Sequence, residues 1–82
     1  MEEMLKYVVT SLCDHDEDIQ ITVTPDGEKI KVVRILVNKE DMGKIIGRNG
    51  KVASAIRTLV KSLTQKSGFR YIVKIDELKK EA

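Results

Sequence analysis

The first twelve residues place their apolar side chains along one side of a predicted helix. These apolar positions are Met4, Leu5, Val8, Val9 and Leu12. Their spacing, with neighbours four residues apart, is typical of an α-helix with one buried face. Glu2 and Glu3 stand in its first turn, where the helix dipole favours negative charge. The acid-rich run 14–18 ends the helix.

A change of period then predicts two strands. Residues 19–24 alternate apolar and polar without a fault, which is typical of a strand with one buried face. The Pro-Asp-Gly sequence at 25–27 is a turn signal. Residues 29–37 form a second strand that is apolar on both faces, as a central strand would be. Because the turn is short, we expect an antiparallel hairpin.

The remaining elements are two helices and a last strand. Asn38 can cap a short helix over 39–46, with Asp41 completing an imperfect capping box. The second helix runs from Lys51 to about Lys66 and ends before Ser-Gly. The last strand covers 69–75.

The order α-β-β-α-α-β predicts a two-layer α+β sandwich, a three-stranded sheet with helices on one face. The relative direction of the last two strands is left open. Eighty-two residues suffice for one core. We therefore expect a single domain over 1–76 and a charged C-terminal tail over 77–82.

Charge is unevenly distributed, although the net charge is only +2. Residues 1–28 carry eight acidic side chains and one lysine, a net charge of −7, whereas residues 29–74 carry twelve basic and two acidic side chains, a net charge of +10. A basic block of this size indicates a polyanionic partner. A solvated charged surface would explain the same count, so charge alone does not decide between them.

Several classes of protein and site are disfavoured. The single cysteine, Cys13, permits no internal disulfide and no cysteine zinc site. No apolar run approaches the ~18 residues of a membrane span, so we expect a cytoplasmic protein with no membrane association. The acidic run begins like a calcium loop, but Ile19 and Pro25 stand where that loop needs Gly and Glu. His15 is the only histidine, which excludes a Ser-His-Asp triad.

The most informative segment is residues 45–52, IIGRNGKV. Four residues with glycine at both ends join two predicted helices. Glycine has no Cβ and adopts positive φ easily, so a ligand can approach the main chain there. The following helix directs free N–H groups and its positive dipole end to the same place. With Lys44, Arg48 and Lys51 nearby, this segment predicts a clamp for a phosphate backbone.

Other glycine-rich segments that bind phosphate need residues that this segment lacks. A Walker phosphate loop needs glycine at 45 and Ser or Thr at 52, where the chain has Ile45 and Val52. A dinucleotide-binding fingerprint also needs glycine at 45 and should follow a strand. A nucleotide-using enzyme would need a metal carboxylate or general base beside the loop. A plain helix–turn–helix connection, with glycine only making the corner, stays open from these residues alone.

Residues 46–51 resemble the start of the KH-domain signature I-G-x-x-G. The stretch 39–63, with DMGK before the loop and SAIRT after it, is similar to the KhpA family of small, stand-alone bacterial KH proteins. The likeness covers nearly the whole chain, and the extra helix and strand before the core resemble the type II KH fold. The resemblance implies a non-enzymatic protein, without cofactor or metal, that holds about four nucleotides of single-stranded RNA in a groove.

The resemblance also implies which residues contact RNA. The clamp and its flanking bases are Gly47, Arg48, Asn49, Gly50, Lys44 and Lys51. The apolar groove candidates are Met42, Ile45, Ile46 and Val52. The second strand, at 34–37, is expected to form the other wall. RRM and OB-fold proteins stack bases on aromatic rings, whereas Tyr7, Phe69 and Tyr71 lie at core-like positions in this chain.

Partners are implied in the same way. The family is described as dimeric, with itself or with a second KH protein of the Jag/KhpB type. Its roles are post-transcriptional regulation or RNA chaperoning, with links to cell shape. An apolar stripe on the long helix is wider than one packed face requires: Val52, Ala53, Ala55, Ile56, Leu59, Val60 and Leu63. The width of this stripe would be explained equally well if all of its residues were buried in the core. The alternative function is a protein-interaction or assembly module on a KH fold, with incidental nucleic-acid binding.

Overall fold

In the computed structural model, which describes residues 2–78, three α-helices pack against a three-stranded sheet. The elements follow in the order α1 (Glu2–Leu12), β1 (Gln20–Pro25), β2 (Ile30–Val37), α2 (Met42–Ile46), α3 (Lys51–Leu63) and β3 (Arg70–Glu77). The α+β class and the α-β-β-α-α-β order predicted from the sequence are confirmed.

The sheet is mixed, in the order β1-β2-β3. β1 and β2 form the expected antiparallel hairpin, with Val23 opposite Val33. β2 and β3 run parallel, with Val33 beside Val73. A parallel pair needs a long crossover connection, which α2 and α3 supply. This settles the strand direction that the sequence left open.

The core lies between one face of the sheet and the helices. Val33, Ile35 and Val37 of β2 have no exposed surface, whereas Arg34 between them is exposed. The helices contribute the buried side chains Leu5, Val9, Ile45, Ile56 and Val60. Because burial alternates along the central strand, the helices cover only one face of the sheet.

The start of the predicted helix over 39–46 differs in detail. Lys39–Asp41 is a 3₁₀ turn, and the α-helix begins only at Met42. Asn38 caps this turn, because its Oδ1 accepts the N–H of Glu40 at 2.9 Å. The predicted capping box is wrong, since Asp41 does not cap the helix and instead binds a distant segment, described below.

The ends of α3 and β3 also shift from their predicted positions. α3 ends at Leu63 because Thr64 leaves the helical conformation, and its hydroxyl donates to the carbonyl of Val60 at 2.7 Å. β3 continues to Glu77, beside Val37 of β2. Residues 79–82 of the predicted tail lie outside the described residues. None of the described helices is long and apolar enough to cross a membrane.

Two of the aromatic residues expected in the core lie at the surface. Tyr7 is 75% exposed because it faces away from Leu5 and Val9 on α1. Phe69 is 39% exposed in the connection before β3, with the Nζ of Lys31 4.3 Å from its ring centroid. Tyr71 is half-buried and packs against the core.

Candidate nucleic-acid interface

The four residues between α2 and α3 form a tight turn built on left-handed backbone. Gly47 ends α2 with φ 72°, and its N–H donates to the carbonyl of Gly43 at 2.9 Å. Asn49 and Gly50 also have positive φ, 57° and 74°. The N–H of Gly50 donates back to the carbonyl of Gly47 at 3.2 Å. The loop therefore has a defined conformation that ordinary residues adopt only with strain.

The two glycines of this loop have different surroundings. A Cβ on Gly47 would lie 2.4 Å from Cγ2 and 2.9 Å from the backbone nitrogen of Val52. A Cβ on Gly50 would meet nothing within 4 Å. Gly47 therefore lets the loop pack closely on the first turn of α3, whereas Gly50 leaves open space above the loop.

The polar side chains of the loop and of the first residue of α3 reach solvent. Arg48, Asn49 and Lys51 are all exposed. Within residues 2–78, neither Arg48 nor Lys51 takes part in an ion pair. Both positive charges stand next to the N-terminus of the 13-residue helix α3, where the positive end of the helix dipole favours an anion. The loop can thus attract a phosphate group with side-chain charge and the helix dipole together.

Lys44 differs from these two bases because its charge is already paired. Its Nζ contacts the carboxylate of Asp14 and lies 3.7 Å from that of Asp41. The hydrogen bond with Asp14, followed by the charges of both carboxylates, holds the pKa of Lys44 above its ordinary value. A phosphate would have to compete with Asp14 for this ammonium group.

Asp41 links this region to the segment that follows α1. Its side chain has no exposed surface, and its carboxylate accepts the N–H groups of Asp14 at 3.1 Å and His15 at 3.0 Å. Burial by itself would raise the pKa of Asp41, but the two N–H donors and the nearby His15 and Lys44 outweigh it and hold the pKa below its ordinary value. Asp41 therefore stays ionised and fixes the chain entering α2.

A second contact supports the same junction. The Nε2 of His15 lies 3.0 Å from the Oε2 of Glu40. The hydrogen bond with Glu40 is the main cause that raises the pKa of His15. Ligand atoms of His15, Glu17 and Asp18 also lie within 4.8 Å of one another, but exposed acidic groups of this kind are common without a metal and we assign none.

The apolar groove candidates separate into surface and core positions. Ile46 is 41% exposed, and Met42 and Val52 are half-buried. Ile45 is completely buried and belongs to the core. It can support the groove from below, and only the other three present surface to a ligand.

A basic groove of about 710 Å³ lies between α3 and β3. Its charged lining residues are Arg57, Lys61 and Arg70, and Phe69 and Ile72 add apolar surface. Sequence reasoning counted these bases in the basic block without placing them in a site. The spacing of four residues between Arg57 and Lys61, which puts both on one side of a helix, was the signal that could have shown it.

This basic groove is separate from the apolar groove predicted beside the loop, because none of residues 42–52 lines it. The edge strand β3 forms one of its walls. The wall predicted at 34–37 lies on the central strand β2 and stays a prediction.

A second, apolar groove of about 300 Å³ lies on the opposite side of α3, against α1. It is lined by Val8, Leu12, Lys51, Val52, Ala55, Ile56 and Leu59. The wide apolar stripe of α3 is therefore not fully buried: Ala53, Ile56 and Val60 lie in the core, whereas Ala55 and Leu63 are exposed.

Comparisons with known proteins agree on one family. The family model described as KhpA/KhpB, KH domain, matches residues 2–75. RNA-binding protein KhpA of Listeria monocytogenes is 39% identical over 77 residues, covering 94% of this chain and 100% of the relative. The proteins of the same name from Clostridium perfringens and Treponema pallidum are 37% and 35% identical, covering 92% and 90% of this chain and 99% and 91% of the relatives. No solved structure gave a significant match.

Proposed function

Since the chain belongs to the KhpA/KhpB family of KH domains, we propose that it is a non-enzymatic, cytoplasmic protein that binds single-stranded RNA with the loop Gly47, Arg48, Asn49 and Gly50. The observation that carries this proposal is the loop itself. Its backbone has positive φ at Gly47, Asn49 and Gly50, open space lies above Gly50, and Arg48 and Lys51 have no ion-pair partner among the described residues. Such a site fits a phosphate backbone.

The RNA strand continues from the loop into the basic groove. Arg57 and Lys61 follow Lys51 along α3 by one and a half to three turns, so the positive charge extends from the clamp to the groove. Ile46 and the half-buried Met42 and Val52 offer apolar surface beside the clamp. Lys44 takes a secondary part because Asp14 already binds it. A short site of about four nucleotides with few base-specific contacts suits an RNA chaperone or post-transcriptional regulator.

The protein works as a dimer, with a second copy or with a KH partner of the Jag/KhpB type. The apolar groove between α1 and α3 supports this, because Ala55 is small and exposed and a partner helix can approach it closely. This groove and the basic groove lie on different sides of α3. A dimer formed there leaves the basic groove of each subunit free and brings the partner close to Lys51 and Val52 beside the clamp.

Charge reversal in the loop tests RNA binding. We expect Arg48→Asp/Asn49→Asp to lower the affinity for a short single-stranded RNA at least tenfold, because hydrogen bonds to charged groups contribute about 1.5–3 kcal/mol and 1.4 kcal/mol is a factor of ten. Fluorescence anisotropy gives the affinity, and circular dichroism checks that the variant is folded.

The matched control is Lys6→Asp/Ser11→Asp, which changes the net charge by the same amount at exposed positions of α1 outside the site. It should bind the same short RNA, which does not extend beyond the loop and groove, nearly as well as the wild type. Unchanged affinity of the loop variant would reject the RNA clamp and favour the alternative function, a protein-interaction module on a KH fold.

A further inference from the structure

One face of the sheet is not covered by any described helix. The side chains that point away from the core on β2 and β3 are Ile30, Val32, Arg34, Leu36, Arg70, Ile72, Lys74 and Asp76, and β1 adds Gln20, Thr22 and Thr24. We call this surface the open sheet face. It carries a central apolar patch, and three of its four charged residues are basic.

The basic residues of the open sheet face stand next to one another. Arg34 lies directly beside Lys74 in the parallel register of β2 and β3. Like charges side by side on neighbouring strands destabilise a sheet. Among residues 2–78, neither these two nor Arg70 takes part in an ion pair. An anion bound here would remove this repulsion.

The open sheet face is continuous with the basic groove. Arg70 and Ile72 line the groove, although both alternate with the core-facing residues of β3 and belong to the open sheet face. β3 is an edge strand, so no further strand separates the two surfaces. A chain that leaves the groove beside Arg70 meets Arg34 and Lys74 as it crosses this edge.

We propose that the open sheet face is a second contact surface for RNA, which binds the backbone of nucleotides that extend beyond the groove. This inference rests on the proposed function and extends the site from about four nucleotides to a longer strand. Continuity with the basic groove and the unpaired bases favour RNA over an acidic protein. The described side chains of this face include no aromatic ring, so the contact is electrostatic and independent of base sequence.

The test compares two RNA lengths. Wild type and Arg34→Ala/Lys74→Ala are titrated with a 4-nucleotide and a 12-nucleotide single-stranded RNA at several salt concentrations. We expect the double variant to bind the 12-mer about five- to tenfold more weakly and to lower the slope of log affinity against log salt by about 1.4, from two lost phosphate contacts at about 0.7 each. Its affinity for the 4-mer should be unchanged.

The control is Lys6→Ala/Lys39→Ala, which removes two positive charges from exposed positions outside this face. A loss of 12-mer affinity as large in the control would overturn the proposal, because it would show a general effect of net charge. Equal binding of the 12-mer by wild type and double variant would also overturn it, while the proposed function would stand on the 4-mer. If the wild type bound neither RNA, the proposed function itself would fail, and this inference with it.

Backbone NMR spectra give a second, independent readout. We expect the 12-mer, and not the 4-mer, to shift the amide signals of Val32, Arg34, Ile72 and Lys74. If poly-glutamate shifted these signals and the 12-mer did not, the open sheet face would be a surface for an acidic protein and the proposal would be rejected.

Discussion

At the scale of single residues, the two glycines of the loop between α2 and α3 have different physical roles. Gly47 is needed for packing, because a Cβ there would overlap the side chain and backbone of Val52. Gly50 is needed for conformation and access, because its φ is 74° and the space around it is empty. The stability of the fold therefore depends more on the first glycine, and ligand approach more on the second.

Alanine substitutions separate these roles. We expect Gly47→Ala to lower the free energy of unfolding by roughly 2–4 kcal/mol, since it combines the left-handed backbone cost with overpacking against a helix that cannot move freely. Gly50→Ala should cost only about 1–2 kcal/mol, from the backbone conformation alone. Urea denaturation followed by circular dichroism measures both.

Gly43 provides the matched control. It lies within α2, has ordinary helical backbone, and a Cβ there would meet nothing within 4 Å. Gly43→Ala should therefore leave stability equal or raise it by about 0.5–1 kcal/mol, because alanine favours the helix. If Gly47→Ala were as stable as Gly43→Ala, the close packing of the loop on Val52 would be refuted.

At the scale of elements, α3 serves three surfaces at once. Its core side carries Ala53, Ile56 and Val60, its β3 side carries Arg57 and Lys61, and its α1 side carries the apolar groove. Every one of these surfaces uses residues that recur three or four positions apart. One helix therefore contributes to the core, to the basic groove and to the apolar groove, largely with different side chains.

The elements were largely predictable from sequence because they depend on local period. The alternation over 19–24 located β1 to within one residue, and the glycines at 47 and 50 located the loop. The hydrophobic period shows which face of a helix or strand is buried, but it does not show which other element packs against that face. For that reason Tyr7 and Phe69 were wrongly expected in the core.

Contacts between residues distant in sequence could not be predicted in this way. Asp41 accepts N–H groups from residues 26 and 27 positions earlier, and nothing in its local sequence distinguishes this role from helix capping. The same contact network pairs Lys44 with Asp14. Part of the predicted basic cluster is thereby neutralised by the acidic segment that precedes β1.

Asp41, which holds the segment after α1 against the start of α2, makes the stability of the fold depend on pH. Because its pKa is below its ordinary value of 3.8 in the folded protein, the ionised form stabilises the fold above that pH, and this contribution is lost as the pH falls through the lower, folded-state pKa. We expect Asp41→Asn to lower the Tm at pH 7 by about 4 °C or more, as the amide cannot accept both N–H groups. The difference from the wild type should shrink as the pH falls below 3.8 and the Asp41 carboxylate becomes protonated.

Thermal denaturation between pH 2 and pH 7 measures this effect. The control is Asp26→Asn, which changes the same charge in the exposed turn between β1 and β2. Its Tm should follow that of the wild type at every pH. A constant difference between Asp41→Asn and wild type across the whole range would contradict the role of the Asp41 charge.

At the scale of the whole molecule, the two charge blocks become two parts of the structure. The acidic block, residues 1–28 with a net charge of −7, forms α1, the segment after it and β1. The basic block contains the loop, the groove and the bases of the open sheet face. A separation of this kind directs a polyanion to the basic part of the surface.

The size of the molecule makes pairing useful for RNA binding. One loop with about four phosphate contacts binds weakly, whereas two linked sites gain affinity from a high effective concentration without new contacts. We expect the wild type to dimerise through the apolar groove, and Ala55→Glu to be monomeric, because it would bury a carboxylate against apolar side chains. Analytical ultracentrifugation over a range of concentrations measures this.

RNA affinity distinguishes a loss of dimerisation from damage to the clamp itself. Ala55→Glu should bind a 4-mer like the wild type but lose tenfold or more in affinity for an RNA that carries two such sites. Ser54→Glu, its exposed neighbour outside the groove lining, should keep both the dimer and the tight binding. A wild type that stays monomeric at every concentration, or an Ala55→Glu variant that still dimerises, would show that the apolar groove does not join two copies. In the predicted case, the same helix that starts at the clamp also sets the distance between two clamps, because Lys51 and Val52 border both the clamp and the apolar groove.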